Sequence, residues 1–391
     1  MEVEPAPHVD LLSGAFYAQA RPTYAWMRAH EPVFHDEVNG LWAFATHELV
    51  QAAGRDPATF SNAGGSRPDT GPLPWMIDLD GPAHRTRRRL VSGAFTPARV
   101  RSRLPAVEEI CDELIDAVCE TGSCDIVGAL AAPLPMIVIG DMLGVAPADR
   151  GTLLGWSDDL LATLSGDPDK IEQAAAAFVE YSEYATRTIA ARRARPADDL
   201  FSVLVQAEVD GEGLRDDELV FESLLILVGG DETTRHVISG GLEQVLSDPA
   251  VRDTLRANAD ALPAAVEEML RWVSPIKSMN RTLTRDVERH GRHLREGEKV
   301  LLLYESANFD EAQFAEPERF DVARSPNEHV AFGFGPHHCL GAGLARLEVR
   351  VMVERVLARL PDLALAGEVT RDAVGSITSL PVTFTPSARR S

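Results

Sequence analysis

The stretch Phe332-Gly333-Phe334-Gly335-Pro336-His337-His338-Cys339-Leu340-Gly341 sets one cysteine among residues that loosen or redirect the backbone. Downstream, Leu340, Leu344 and Leu347, then Val351 and Met352, recur with helical spacing, so the cysteine stands on a loop at the start of a helix. A helix N-terminus offers free backbone N–H groups and a positive field. Both lower a thiol pKa and favour the thiolate as a ligand. Gly335 and Gly341 carry no Cβ, so the backbone there can lie close to a flat partner. Two plainer readings stand beside this one. A lone cysteine near a helix start can be a small buried hydrophobe. His337, His338 and Cys339 could also be zinc ligands, although adjacent residues do not easily face one metal and no second ligand pair at zinc spacing occurs.

A second chemical signal is Leu224-Leu225-Ile226-Leu227-Val228-Gly229-Gly230-Asp231-Glu232-Thr233-Thr234. Two glycines in an apolar helix cost roughly 1 kcal/mol each, so a compensating reason is expected, such as room for a ligand beside the backbone. A threonine hydroxyl can bond back to a carbonyl one turn earlier or hold water. An acid beside that alcohol in an apolar setting makes a proton-delivery pair. In isolation a helix N-cap region at Asp231 to Thr234 would be the favoured reading.

Weaker signals surround these two. Glu268 and Arg271 stand at i and i+3 in a helical stretch, a spacing common as surface decoration. Pro82 opens and Gly93 closes a further predicted helix, with His84 and Arg88 four apart on one face, able to clamp an anion. Its cluster Arg85, Arg87, Arg88 and Arg89 could dock an acidic protein if exposed. Gly64 to Pro74 reads as a loop ending in Trp75-Met76-Ile77, a tip suited to covering a pocket. Pro32 to Ala45 predicts a hairpin turning at Asn39-Gly40, and Val300 to Leu303 a strand. Pro97 to about Arg193 reads as almost entirely helical.

The 60 acidic against 38 basic residues, a formal charge of −22, argue against nucleic acid or an anionic membrane as the main partner. Met1 to Asp10 has no apolar run of the signal-peptide kind, and the longest apolar stretch, Ala129 to Gly140, is broken by Pro133 and Pro135. Four cysteines suggest a reducing compartment, so a cytoplasmic protein without a membrane anchor is expected.

The order Phe-x-x-Gly-x-His-x-Cys-x-Gly, carried here by Phe332, Gly335, His337, Cys339 and Gly341, resembles the haem-binding loop of the cytochrome P450 family. Gly229-Gly230-Asp231-Glu232-Thr233-Thr234 resembles that family's oxygen-activation motif, and Glu268-x-x-Arg271 with Pro317-Glu318-Arg319-Phe320 its structural pairing. The order and separations match over nearly the whole chain. The resemblance implies one P450 domain over 1–391, mainly α with a small β-rich portion, and haem b (iron protoporphyrin IX) wedged between the Glu232 helix and the Cys339 loop. By the same match Cys339 would be the axial iron ligand, with Phe332, Gly333 and Gly341 around the haem. His84, Arg88, Arg281 and His337 would hold the propionates. Thr233 would hydrogen-bond dioxygen and Glu232 would relay protons. Glu268, Arg271 and Arg319 would form a buried network bracing the cysteine loop. Trp75, Met76, Leu160, Leu164, Val228, Gly229, Ile276, Met279 and Ile377 would line the substrate pocket.

The implied reaction is monooxygenation with electrons from a ferredoxin and an NAD(P)H-dependent reductase, since the chain has no flavin or iron–sulfur motif. Ser61-Asn62-Ala63-Gly64-Gly65, Ala132-Pro133-Leu134-Pro135-Met136 and Glu305-Ser306-Ala307-Asn308-Phe309-Asp310-Glu311 are similar to the actinobacterial subgroup that oxidises the terminal methyl of the cholesterol or cholest-4-en-3-one side chain. The alternatives are a monooxygenase of a macrolide, terpene or fatty acid, and a haem protein that senses a ligand without turnover.

Overall fold

The 32-residue helix Asp216–Ser247 is the axis of the molecule. Its first turn holds Asp216, Asp217 and Glu218, acids that suit the positive helix end. Glu218 also accepts the Arg215 backbone N–H at 2.9 Å, completing a capping box. The structure, a computed structural model, describes residues 8–162, 168–209 and 211–390.

Leu219, Glu222, Leu224, Ile226, Leu227 and Ser239 are all buried and point in directions spread over most of the helix circumference, which a helix shows only when surrounded. Around it pack Pro133–Leu143, Leu262–Val273, Pro168–Ala194 and the helix after the cysteine loop, Ala342–Arg359. Two apolar cores result. One gathers Val237, Ile238, Leu242, Leu270, Val349 and Val353; the other gathers Ile139, Tyr181, Phe201, Leu224 and Leu227. Gly230 is one reason the helices can approach, since a Cβ there would lie 3.3 Å from Ile139.

A five-stranded sheet stands to one side, in the order Val33–Asp36, Leu41–Phe44, Lys299–Leu303, Ser278–Leu283, Phe60–Ser61. The hairpin at Asn39-Gly40 is present, with Gly40 at φ +62°. Lys299–Leu303 pairs antiparallel with Ser278–Leu283 and places Arg281 opposite Val300. The stretch Pro97 to about Arg193, expected to be almost entirely helical, also contains a strand, Ser123–Asp125, which pairs with Pro381–Thr383. The arginine-rich helix runs Gly81–Ser92 with Pro82 in its first turn. Gly93 does not end it in a left-handed cap; it stays right-handed (φ −55°) and leads into a 3-10 turn, Gly93–Phe95. Among the described residues no helix is long and apolar enough to cross a membrane.

Candidate active site

Between the long helix and the cysteine loop lies a cavity of about 260 Å³ that opens to solvent. Its floor is Phe332, Gly333 and His337 to Gly341, and its roof includes Ile226, Gly229, Gly230, Thr233 and Thr234. The loop is closed by the Cys339 backbone N–H donating to the Phe332 carbonyl at 2.9 Å and by the His338 N–H donating to Gly335 at 3.0 Å. Gly335 serves packing rather than a flat ligand. It sits at φ +73°, and a Cβ there would fall 1.9 Å from the Gly54 carbonyl oxygen, so only glycine lets the loop rest on helix His47–Arg55.

The Cys339 thiol is raised, against the expectation from its place before a helix. Burial is the larger influence; the backbone N–H groups of Gly341 and Ala342 and the Arg88 and Arg346 guanidiniums pull it down without prevailing. The zinc reading fails on geometry, because among the described residues no three His, Cys, Asp or Glu side chains are grouped to hold a metal ion.

Four cationic or potentially cationic groups converge beside the cysteine. His84 and His337 stack with ring centroids 4.1 Å apart; His84 Nε2 is buried without a hydrogen-bond partner, and His337 Nε2 lies 3.5 Å from the Asp80 carboxylate. Burial, then the neighbouring His337 and Arg88, depress His84 to about 4. Arg88 donates to the His338 carbonyl at 2.6 Å. Arg281, 3% exposed, donates to the adjacent Asn280 carbonyl and has no carboxylate partner among the described residues. The unpartnered His84 nitrogen and the uncompensated Arg281 guanidinium around one cavity call for anions. Two propionates meet that need, and a flat macrocycle meets the space above Cys339, so the residues present fit haem.

On the opposite wall the Thr233 hydroxyl donates to the Gly229 carbonyl at 2.9 Å, and a Cβ on Gly229 would meet nothing within 4 Å. The glycine therefore leaves open cavity where a side chain would stand. Glu232 does not line the cavity. Its carboxylate lies 3.9 Å from Arg235 and 4.0 Å from His236, and burial raises it against the pull of Arg235 and Arg67. Arg235 in turn lies 3.5 Å from the half-exposed Asp158.

Of the expected pocket residues, Met76, Gly229, Ile276 and Met279 line the cavity. Trp75 does not; its indole N–H donates to Asp78 at 2.7 Å, folding the loop on itself. Leu160 and Val228 pack against the second core, and Ile377 is buried in the first. Leu164 lies outside the described residues. Sequence reasoning missed Phe95, Ile139, Leu225, Val237 and Tyr304, whose apolar character alone gives no sign of facing a ligand. It also missed Glu348, a buried carboxyl on helix Ala342–Arg359 that reaches the cavity wall with Oε2 unpartnered. Burial, aided by Asp231, holds Glu348 well above the carboxylate range, hence neutral.

The bracing network is present with one member exchanged. Glu268 and Arg271, both fully buried, form a two-bonded pair at 2.8 Å. Arg319 is not part of it: its side chain is 64% exposed and pairs with Glu316, and only its backbone carbonyl meets Arg271. Arg324 takes the place, donating to Glu268 at 3.0 Å from a side chain 8% exposed. The arginine cluster also divides. Arg85 and Arg89 face solvent, whereas Arg87 and Arg88 turn inward.

Comparison with known proteins agrees with this geometry. The cytochrome P450 family model matches residues 156–361. The chain is 55% identical to a steroid C26-monooxygenase of Mycolicibacterium smegmatis, over 98% of this chain and 97% of that one. It is 56% identical to the steroid C26-monooxygenase of Mycobacterium tuberculosis, over 98% of each. Among solved structures, P450BioI in complex with an acyl carrier protein bearing hexadec-9Z-enoic acid superposes with a TM-score of 0.89 at 30% identity, over 95% of this chain and 99% of that one. A cysteine loop and a glycine-threonine helix facing each other across a haem-shaped cavity, in a chain so close to these relatives over its length, place it in one family: the chain belongs to the cytochrome P450s and is a monooxygenase whose cofactor is haem.

Proposed function

We propose that this monooxygenase hydroxylates the terminal methyl of a steroid side chain, as its C26-monooxygenase relatives are named for doing. The observation that carries the reading is identity of 55–56% across the full length of those relatives. The cavity supports it: Met76, Leu225, Ile226, Ile276 and Met279 give an apolar wall above the cysteine loop, suited to a hydrocarbon chain.

Haem, when bound, supplies the activation of dioxygen. Cys339 would ligate its iron, His84, Arg88, Arg281 and His337 would hold its carboxylates, and Phe332, Gly333 and Gly341 would shape the seat. Thr233, on the cavity wall, orients dioxygen through its hydroxyl. Glu232 stands behind it as the proton store, replenished from solvent past Arg235 and Asp158. Met76 and its neighbours exclude water from the apolar end. We take 1–391 as one P450 domain working in the cytoplasm. Electrons come from a ferredoxin and its NAD(P)H-dependent reductase, and the exposed Arg85, Arg89, Arg99 and Arg101, a basic patch in a chain of formal charge −22, offer the docking face.

The test is a spectral titration of the haem-loaded protein with cholest-4-en-3-one. A saturable shift toward high spin, followed by a terminal-methyl alcohol in the reconstituted system, is expected. No shift with the sterol, while a fatty acid or macrolide gives one, overturns the steroid assignment.

A further inference from the structure

The lid loop over the cavity runs out along residues 62–68, turns through an exposed tip at 69–74 and returns through 75–80. Its outward limb is fixed to the sheet. Asn280, on strand Ser278–Leu283, donates its side-chain amide to the Gly65 carbonyl and its backbone N–H to the Ser66 carbonyl, each at 2.9 Å. Lys299 donates to the Pro68 carbonyl. The return limb carries Met76 and Ile77, which line the cavity from a 3-10 turn, Met76–Asp78. One carboxylate joins the two limbs. Asp78, 4% exposed, accepts the Ser66 N–H at 2.8 Å on one oxygen. Its other oxygen accepts the Leu73 N–H at 2.9 Å and the Trp75 indole N–H at 2.7 Å.

We propose that Asp78 is a positioning residue that fixes Met76 and Ile77 as a preformed apolar wall, so that a long apolar ligand meets one cavity width and is hydroxylated at one carbon. This rests on the reading of the cavity as the ligand site. Ser66 carries the position of the sheet into the lid, because its carbonyl is taken by Asn280 and its N–H by Asp78. The bonds to Asp78 are charge-assisted, and breaking one leaves part of a buried carboxylate unpaired, so the turn is held far more firmly than an exposed loop tip. Asn62 adds to the hold by donating to the Ile77 carbonyl at 2.8 Å. Only a carboxylate can do this. An asparagine of the same shape would turn its amide nitrogen toward at least one of the three N–H groups, donor against donor, and leave a buried group unpaired. A ligand that packs on a preformed wall need not order it on binding, whereas one too small to touch the wall gains nothing from the order.

The experiment compares wild type with Asp78→Asn and the milder Trp75→Phe, all haem-loaded, by titration with imidazole and with 1-dodecylimidazole. Both probes bind haem iron whatever the natural substrate; the first is too small to reach the wall, and the second runs its chain along it. In Asp78→Asn the affinity for 1-dodecylimidazole is expected to fall about tenfold, the equivalent of one charge-assisted bond, with that for imidazole unchanged. Trp75→Phe is expected to move the same ratio in the same direction by less. Amide hydrogen exchange at Ser66 and Leu73 should quicken in Asp78→Asn, and cholest-4-en-3-one should be hydroxylated at more than one carbon. Equal weakening of both probes, or no change in either in the folded variants, overturns the role, as does faster exchange with 1-dodecylimidazole bound as before. Loss of 1-dodecylimidazole affinity in Asp78→Asn, in a protein whose wild type gives no sterol shift, supports Asp78 and overturns the steroid reading.

Discussion

Replacing Arg324 by methionine separates the bracing network seen here from the one the sequence motif suggests. Glu268 accepts five donors: Arg271 Nε and Nη2 at 2.8 Å, the Asp321 N–H at 2.8 Å, Arg324 Nε at 3.0 Å and Asn327 Nδ2 at 3.1 Å. Loss of Arg324 removes one charge-assisted bond to a fully buried carboxylate, worth about 2 kcal/mol. It also removes bonds to the carbonyls of Ala315, Glu316 and Arg319, which water can reach, at about 0.5 kcal/mol each. Because Glu268 keeps Arg271, the total of about 3.5 kcal/mol sits toward the low end for breaking a buried ion pair. For a chain of 391 residues the unfolding entropy is about 0.8 kcal/mol per kelvin, so the midpoint should fall by about 4 °C. Arg319→Met removes an exposed pair and should move it by less than about 1 °C. The assay is thermal unfolding of the haem-loaded variants by far-ultraviolet circular dichroism at one scan rate. An Arg319 variant as damaged as the Arg324 variant, or an Arg324 variant indistinguishable from wild type, refutes the assignment.

Thr233→Ala should leave sterol binding intact yet cut product formed per electron pair severalfold, measured as alcohol against NAD(P)H consumed; unchanged coupling sinks the role given to the hydroxyl. Cys339→Ser should abolish the thiolate-type carbonyl spectrum, and its persistence would remove Cys339 as ligand. Glu267 is depressed to about 2, because hydrogen bonds from His329 and Arg346 outweigh the burial that opposes them. A carboxylate held low stabilises the fold above its ordinary value near 4.5 and loses that contribution as pH falls through about 2. Glu267→Gln should therefore be less stable than wild type at neutral pH and converge with it in acid, and a stability gap that persists at low pH contradicts the pairing.

Motifs led to the cysteine loop, to Gly229, Gly230 and Thr233 on the long helix, and to the basic groups beside the cavity, because each is a short pattern whose chemistry depends on neighbours in sequence. The errors came where position depends on a distant chain. Arg319 and Arg324 are five residues apart on the same irregular stretch, and local sequence offers nothing to say which one reaches Glu268. Trp75 is the largest apolar side chain at the lid tip, yet its N–H is claimed by Asp78, which also accepts the backbone N–H groups of Ser66 and Leu73. A polar handle on an aromatic ring turned it from the cavity, and the smaller Met76 took the place. Arg87 was lost among like neighbours for a similar reason: helix rotation, not composition, decides which of four arginines meets the long helix.

Rotation also orders the acids of that helix. Successive residues turn by about 100°, so Asp231 and Glu232 cannot share a face. Asp231 is held by Ser157 of helix Arg150–Ala162 at 3.1 Å, and Glu232 stands by Arg235 and His236. Neither carboxylate lines the cavity, which belongs to Gly229, Gly230, Thr233 and Thr234. In the proposed mechanism the alcohol meets the ligand and the acid supplies it from the flank, which is why loss of the hydroxyl should waste electrons rather than halt them. Glu222 stands eleven residues before Thr233, three turns plus about 20°, and so shares its face. Leu225, Ile226 and Gly229 fill that face between them and line the cavity.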